Sequence, residues 1–115
     1  MTGTPPESGR PIECKRYICY TDGDGSFEFD PWKNSLNADR HGVSLLWARR
    51  LWKVTHVIIP AKCVVGEKRF MIIGKIDEKC HAAVFTKRGE VIRLISCHRA
   101  DGRLERIYED QIRNE

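Results

Sequence analysis

Residues 27–42 read FEFDPWKNSLNADRHG, and this stretch holds the signals for a strand end, a helix start and a helix stop. Asp30 is suited to cap a helix, because its carboxylate can accept the free N–H groups of the first turn, and Pro31 fits the first helical position. Gly42 predicts a left-handed helix stop, and Ser44 predicts the N-cap of a second helix. The stretch and its continuation therefore predict a strand over 27–29 and helices over 31–40 and 45–53.

The pattern changes after residue 53 from helical spacing to β-branched and alternating runs. These runs predict strands over 54–60, 69–76, 80–87 and 91–98, with turns at 77–79 and 88–90. Asp101 can cap a last helix that ends near Arg113. The order predicts an α+β fold, with an antiparallel β-sheet of about four strands, two N-terminal helices and one C-terminal helix. We expect the helices to pack on one face of the sheet.

Composition limits the class of protein. The chain has 115 residues, of which 31% are charged and 41% hydrophobic, and no apolar run approaches the ~20 residues of a membrane helix. Five cysteines at irregular spacing favour reduced thiols and a cytoplasmic location. The cysteines and histidines show no metal-ligand spacing, so no metal and no cofactor are predicted.

The first 26 residues are rich in Thr, Pro, Gly, Ser and Asp, unlike the rest of the chain. We therefore divide the chain into an N-terminal extension over 1–26, expected to be flexible, and a folded domain over 27–115. One short apolar patch at 17–20 is the exception within the extension. It could form an edge strand.

Charge is unevenly distributed along the chain, whose net charge is +4. Residues 1–39 carry four basic and seven acidic side chains, whereas residues 40–66 carry five basic and no acidic ones. A long stretch without an acidic residue suits a polyanion or an acidic protein partner. A solvated basic face explains it equally simply, and charge alone favours that explanation.

Arginines occupy unusual positions in the strand region. Arg93 lies inside the apolar run VIRLIS, where its guanidinium must face solvent, pair with an acid or meet an anion. The planar guanidinium can bind two phosphate oxygens at once, so a phosphate clamp is one interpretation. A salt bridge to Glu67, Glu90 or Glu105 is the other. Strict alternation would place Arg93 and His98 on opposite faces, unless the strand bulges.

Four blocks of sequence, taken together, resemble the BrnT family of RelE-like ribonuclease toxins from bacterial toxin–antitoxin pairs. They are FEFDPWKNSLNADRHGVS (27–44), GEKRFMIIG (66–74), FTKRGEVIRLIS (85–96) and ERIYE (105–109). The resemblance implies a RelE-like fold and a ribonuclease activity that inhibits translation. It also implies capture by a cognate BrnA-like antitoxin, in a dimeric or heterotetrameric complex. The family's conserved polar positions fall on Lys33, Asn37, His41, Glu67, Arg69, Arg88, Arg93, Ser96, Glu105, Arg106 and Tyr108.

Cleaving RNA without a metal ion requires a base, an acid and cations that stabilise the charge of the phosphorane. The resemblance and this chemistry together assign catalytic roles to Glu67, Arg69, Arg88, Arg93 and His98, and substrate-binding roles to Lys33, His41 and Arg99. Each histidine also has a structural interpretation, as a helix-end residue for His41 and as a packing residue for His98. On the chemistry of the residues alone, the structural interpretations are favoured.

His98 stands where the family usually has arginine. An unperturbed histidine has a pKa of about 6.5 and is mostly neutral at pH 7, so a cation at the phosphate would be largely lost. Arg99 could replace that charge. Otherwise the chain is a weakened toxin-like protein that binds antitoxin or RNA without cleaving. A small regulatory binding module without an RNA partner is a third interpretation.

Overall fold

The computed structural model describes residues 18–22, 25–64 and 66–113. Its N-terminal elements are β1 (Ile18–Asp22), β2 (Gly25–Phe29), α1 (Pro31–His41) and α2 (Leu45–Ala48), which continues as a 3₁₀ helix (Arg49–Lys53). The expected caps are confirmed. Asp30 accepts a hydrogen bond from the backbone N–H of Trp32 at 2.8 Å, Gly42 has a φ of 79°, and Ser44 Oγ accepts from the N–H of Trp47 at 3.0 Å.

The remaining elements are β3 (His56–Val64), β4 (Glu67–Ile76), β5 (Lys79–Arg88), β6 (Val91–Arg99) and α3 (Gly102–Arg113). Asp77 and Glu78 form the turn between β4 and β5 with φ values of 52° and 69°, the positive pair that a tight hairpin turn requires. Asp101 caps α3, because its Oδ1 accepts from the N–H of Leu104 at 2.9 Å. The four strands and the last helix expected from the sequence are therefore confirmed.

The sheet is larger than predicted, and it is mixed. Its six strands run in the order β1-β2-β6-β5-β4-β3, and β2 pairs with β6 in parallel while all other neighbours are antiparallel. The prediction of an antiparallel sheet of about four strands is correct only for β3 to β6. The parallel pairing joins strands about 65 residues apart, as in Glu28 beside Arg93, and no local signal encodes it.

Residues 18–20 of the apolar patch belong to β1, which lies at one edge of the sheet. The edge strand considered for this patch is thus present, and the sheet includes residues 18–22 and 25–26 of the extension. Residues 1–17, for which flexibility was expected, lie outside the described part of the chain.

Helices cover both faces of the sheet, which corrects the expectation of a single covered face. On one face Leu45 and Leu51, from α2 and the 3₁₀ helix, pack against Phe27, Ile72 and Phe85. On the other face α3 packs over β3 and β4, and its side chains form a second core with the strand residues: Leu104, Tyr108, Val57, Ile73, Cys80 and Ala82. The nearly continuous apolar sequence of β5 is the signal for a strand buried on both sides.

The first helix lies along the edge of β6 beyond the end of β2. Asn37, the buried residue of α1, donates from its amide to the carbonyls of Val43 and Cys97 at 2.7 Å each and accepts from the N–H of Cys97 at 3.1 Å. A single side chain therefore takes the place of a neighbouring strand at Cys97. This contact holds the C-terminal turn of α1 against β6.

A β-bulge divides β6. Val84 lies opposite Ser96 and Phe85 lies opposite Leu94, so Ile95 is the extra residue. Alternation restarts after the bulge, and Arg93 and His98 consequently point to the same face of the sheet. Strict alternation, which put them on opposite faces, fails at this one residue. Among the described helices, none combines the length and apolar character needed to cross a membrane.

Candidate active site

One half of the sheet face that carries α3 is left without a helix over it, and we call this half the open face. Residues opposite one another in a ladder share a face, so the register assigns its members. Glu28 lies beside Arg93, Arg93 opposite Thr86, and Arg69 opposite Ala61. Along the strands, the charged and polar members of the open face include Glu28, Glu67, Arg69, Thr86, Arg88 and Arg93, and His98, opposite Ala82, lies on the same side of the sheet.

Three predicted site residues form one cluster on the open face. Glu67 Oε1 accepts from both Nε and Nη2 of Arg69 at 3.1 Å, and Glu67 Oε2 lies 3.7 Å from Nη2 of Arg88. Two guanidinium groups thus share one carboxylate, which leaves the cluster with a net positive charge. Arg88 is the more exposed of the two cations, with half of its side chain accessible to solvent. This arrangement can receive an anion from solvent.

Arg93 is paired with an acid. Its Nε and Nη2 each lie 2.8 Å from Oε2 of Glu28, and the two side chains are only 17% and 18% exposed. The salt bridge considered as an alternative is therefore present at all three strand arginines. Glu67, one of the glutamates considered from the sequence, pairs with Arg69 and Arg88, whereas Arg93 pairs with Glu28, which was not considered. Glu28 alternates with the buried residues Phe27 and Phe29, which marks it as facing the other side of β2. The unforeseen parallel pairing of β2 brings it to Arg93.

Two predicted histidines lie together at the junction of α1 and β6. The ring centroids of His41 and His98 are 5.9 Å apart. Nδ1 of His98 lies 2.9 Å from the carbonyl oxygen of Arg99. Because a carbonyl can only accept, Nδ1 carries the proton, and Nε2 is the atom that remains to contact a substrate.

The histidine pair lies apart from Arg93, and farther still from the cluster of Glu67, Arg69 and Arg88. His98 lies opposite Ala82 and Arg93 opposite Thr86, four residues farther along β5. At 3.3 Å per residue this is a separation of about 13 Å. One phosphate cannot contact both groups without rearrangement, whereas a short nucleic-acid segment can span them.

The last two predicted site residues, Lys33 and Arg99, lie outside the open face. Lys33 is exposed on the first turn of α1, about 12 Å along the helix axis from His41. Arg99 is exposed and lies opposite His81, one residue beyond His98 in β6. Because side chains alternate along a strand, the side chain of Arg99 points to the other face of the sheet. The structure therefore brings Glu67, Arg69, Arg88, Arg93 and His98 to one face but does not bring Arg99 there.

The stretch without acidic residues does not extend the open face. Its α2 and 3₁₀ portions pack on the opposite side of the sheet, where Arg50 lies over the Trp47 ring at 5.4 Å and 3.8 Å from Asp77. The basic stretch and the sheet arginines, which the sequence suggested as one cationic surface, are thus largely separated.

Two titratable groups lie beneath this opposite surface and near β6. The ring of His81 packs against Trp47 at 4.7 Å, and burial lowers its pKa below the ordinary 6.5. Burial also raises the pKa of the Cys97 thiol to about 12. Neither group is suited to act on a substrate. Over the described ranges, which omit residues 1–17 and three short gaps, no group of three or more His, Cys, Asp or Glu side chains could hold a metal ion.

Comparison with known proteins assigns the chain to a protein family. Residues 29–103 match the family model described as "Ribonuclease toxin, BrnT, of type II toxin-antitoxin system". No curated protein and no solved structure shows significant similarity to the chain, so the RelE-like fold stays a prediction. The matched range contains the arginine cluster and the pair of His41 and His98, and it begins one residue after Glu28.

Proposed function

The chain belongs to the BrnT family of ribonuclease toxins, and from this premise we propose that it cleaves RNA without a metal ion at the open face. Cleavage of RNA in the cytoplasm would inhibit translation. The observation that carries the proposal is that five candidate residues predicted from the sequence share one face of the sheet: Glu67, Arg69, Arg88, Arg93 and His98.

The scissile phosphate binds at the arginine cluster in this proposal. Glu67 accepts the proton of the 2′-OH, whose oxygen attacks phosphorus to form a 2′,3′-cyclic phosphate as the bond to the 5′-oxygen breaks. The leaving 5′-oxygen takes a proton from a water molecule, and the proton held on Glu67 neutralises the hydroxide that remains. Arg69 and Arg88 stabilise the charge that develops on the phosphorane. Arg93, already held by Glu28, supports the cationic field beside them. His41 and His98 bind another phosphate farther along the same strand, because the register places His98 about 13 Å from Arg93 along β5.

The test is cleavage of single-stranded RNA in the presence of EDTA by the full chain. We expect Arg69→Ala to lose most activity, by about 10²–10³-fold, the cost of removing one electrostatic contact to the transition state. We expect Arg93→Ala to lose most activity as well, because it weakens the cationic field and takes from Glu28 its ion-pair partner. Arg113→Ala is the matched control, because Arg113 is an exposed arginine of α3 that pairs with Asp110 one turn away on the same helix. Full activity in both sheet variants, or activity abolished by EDTA, would refute the assignment.

A second candidate function is binding without cleavage, and the histidine at position 98 favours it. RNA that is retained by the wild type but never cut, from pH 5.5 to 8.5, would establish this alternative. The same pH series separates two roles of the histidine pair. Phosphate binding by protonated histidines makes KM rise with pH, whereas proton transfer by the pair makes kcat bell-shaped.

The partner we propose is a cognate BrnA-like antitoxin with an acidic segment that covers the open face. Charge pairing would speed association and make the complex sensitive to salt. We expect the product of the neighbouring gene to copurify with the chain at low salt and to dissociate progressively as salt rises. A neighbour that fails to copurify even at low salt would count against this partner. The number of chains in the complex would follow from its mass.

A further inference from the structure

The sheet splits at the end that carries the arginine cluster. The ladder between β4 and β5 ends at the pair of Phe70 and Phe85, although β4 begins three residues earlier and β5 continues three residues farther. Beyond that pair β4 stays paired with β3, and β5 stays paired with β6. A side chain joins the two strand ends instead, because Thr86 Oγ1 donates to the carbonyl oxygen of Lys68 at 2.7 Å. The ends of β4 and β5 therefore form the two sides of a cleft.

This cleft is a cavity of about 470 Å³, within the range of about 300–1,000 Å³ that is usual for small-molecule sites. Its lining consists of three residues from each strand: Glu67, Lys68, Phe70, Thr86, Lys87 and Arg88. Alternation along the strands places Glu67 and Arg88 on the open face. It directs Lys68, Phe70 and Lys87 to the other side of the sheet. The cleft is thus lined from both faces at the end of the sheet.

The lining combines an aromatic ring with an excess of positive charge. Phe70 is half-buried, and its ring stacks on Phe85 with the ring centroids 5.6 Å apart and the planes at 27°. Three cationic side chains and one carboxylate line the cleft, and that carboxylate already pairs with two arginines. A partly accessible aromatic ring suits a planar group with a π-face, and the cations suit an anion attached to that group.

We propose that this cleft binds the base of the nucleotide next to the scissile phosphate. The inference rests on the proposed ribonuclease function and identifies where that site holds a base. Glu67 and Arg88 belong both to the cleft and to the cluster proposed to bind the scissile phosphate, so a group in the cleft lies within one nucleotide of that phosphate. Every base has a π-face that can pack on an aromatic ring such as that of Phe70.

The cleft lies at the end of the path that an RNA strand would follow across the open face. Along β5, the histidine pair is level with Ala82, and the cleft begins at Thr86, about 13 Å farther on. The arginine cluster adjoins the cleft, so a single strand meets the histidine pair, the cluster and the cleft in that order. Lys68 and Lys87 are exposed on the far side of the sheet, where they can bind the phosphate beyond the base.

The experiment compares binding of two fluorescent single-stranded RNAs of equal length, one with all its bases and one fully abasic. Both carry 2′-O-methyl groups, which remove the attacking hydroxyl. We expect Phe70→Leu, which keeps an apolar side chain but removes the ring, to weaken binding of the base-bearing RNA by about 5- to 150-fold, the range for one stacked base. The same variant should bind the abasic RNA as the wild type does, because the phosphate contacts remain.

Trp47→Leu is the matched control. Trp47 is also a half-buried aromatic residue packed on the same core, but its ring lies against His81, about 16 Å before Thr86 along β5. Its replacement should leave both affinities unchanged. Photo-crosslinking of the wild type to the methylated RNA with 4-thiouridine in place of uridine needs no variant to fold. We expect the crosslinks to map by mass spectrometry to the peptides that contain Phe70 or Lys87.

Each outcome supports or overturns the base site. Affinities unchanged in Phe70→Leu, or lowered equally for base-bearing and abasic RNA, overturn it, as do crosslinks confined to other peptides. Cleavage that persists in Phe70→Leu with unchanged affinity for the base-bearing RNA overturns the base site and leaves the ribonuclease function intact. Loss of antitoxin binding in that variant, with both RNA affinities preserved, assigns the ring to a protein interface and overturns the inference. Failure of the wild type to bind or cleave any RNA overturns both the inference and the proposed function.

Discussion

Replacing Asn37 by alanine tests how α1 is attached to the sheet. The asparagine is 7% exposed and makes three hydrogen bonds, to the carbonyls of Val43 and Cys97 and from the N–H of Cys97. The backbone of Cys97 faces away from β5 at this point, so no strand can replace the lost side chain. The variant leaves one donor without a partner and takes one bond from each of two acceptors.

The size of the effect can be estimated from these contacts. A buried N–H without a partner costs about 1–3 kcal/mol, and the weakened carbonyls add about 1 kcal/mol more. We therefore expect Asn37→Ala to lower the free energy of unfolding by about 2–4 kcal/mol. For a domain of this size, that corresponds to a drop in Tm of roughly 10–20 °C.

Urea unfolding measures the difference, provided that the m-value stays constant. Asn34→Ala is the control, since Asn34 accepts one partly buried hydrogen bond and should cost about 1 kcal/mol. A loss for Asn37→Ala no larger than that of Asn34→Ala would show that the three bonds are not what holds α1 to β6. We also expect Asn37→Ala to reduce cleavage, because it releases His41 from its place beside His98.

The remaining predictions concern pH and thiol chemistry. Burial lowers the pKa of His81, so the imidazole binds its proton more tightly in the unfolded chain, and the free energy of unfolding should fall as pH drops from about 7 through 6.5. The urea midpoint should therefore fall more steeply with decreasing pH in the wild type than in His81→Gln. Iodoacetamide should label the exposed Cys19 but not the buried Cys97, as peptide mass spectrometry can show. If protonated His98 binds phosphate, the cleavage rate should decline as pH rises, and His98→Arg should flatten that decline. If instead Arg99→Ala loses most of the cleavage activity while His98→Ala keeps it, Arg99 rather than His98 binds the phosphate.

Local signals in the sequence predicted most of the helices and strands correctly. Asp30, Gly42, Ser44 and Asp101 act as caps because each works through groups within a few residues along the chain. The strands of the antiparallel meander were also predicted from alternation and turn residues. Their ends differ by a few residues, as for β3, which begins at His56 and continues to Val64.

Long-range arrangements were not predictable in the same way. The bulge at Ile95 depends on how β6 fits β5, and the pairing of Glu28 with Arg93 depends on a parallel contact between distant segments. The side of the sheet that α3 covers is likewise decided by packing. Candidate site residues could therefore be chosen by chemistry and family resemblance, but their grouping into an arginine cluster and a histidine pair required the fold.

The parallel contact of β2 with β6 also bears on the order of folding. The hairpins β3–β4, β4–β5 and β5–β6 join neighbours in sequence, whereas Glu28 and Arg93 close a loop of 65 residues and Asn37 and Cys97 one of 60. Loop closure over such lengths is slow and costly before other contacts reward it. The four-stranded meander can thus form first, with the N-terminal strands and α1 docking last. A partly folded chain would already display Arg69 and Arg88 but would lack His41, so complete substrate contacts would arise only at the final step of folding.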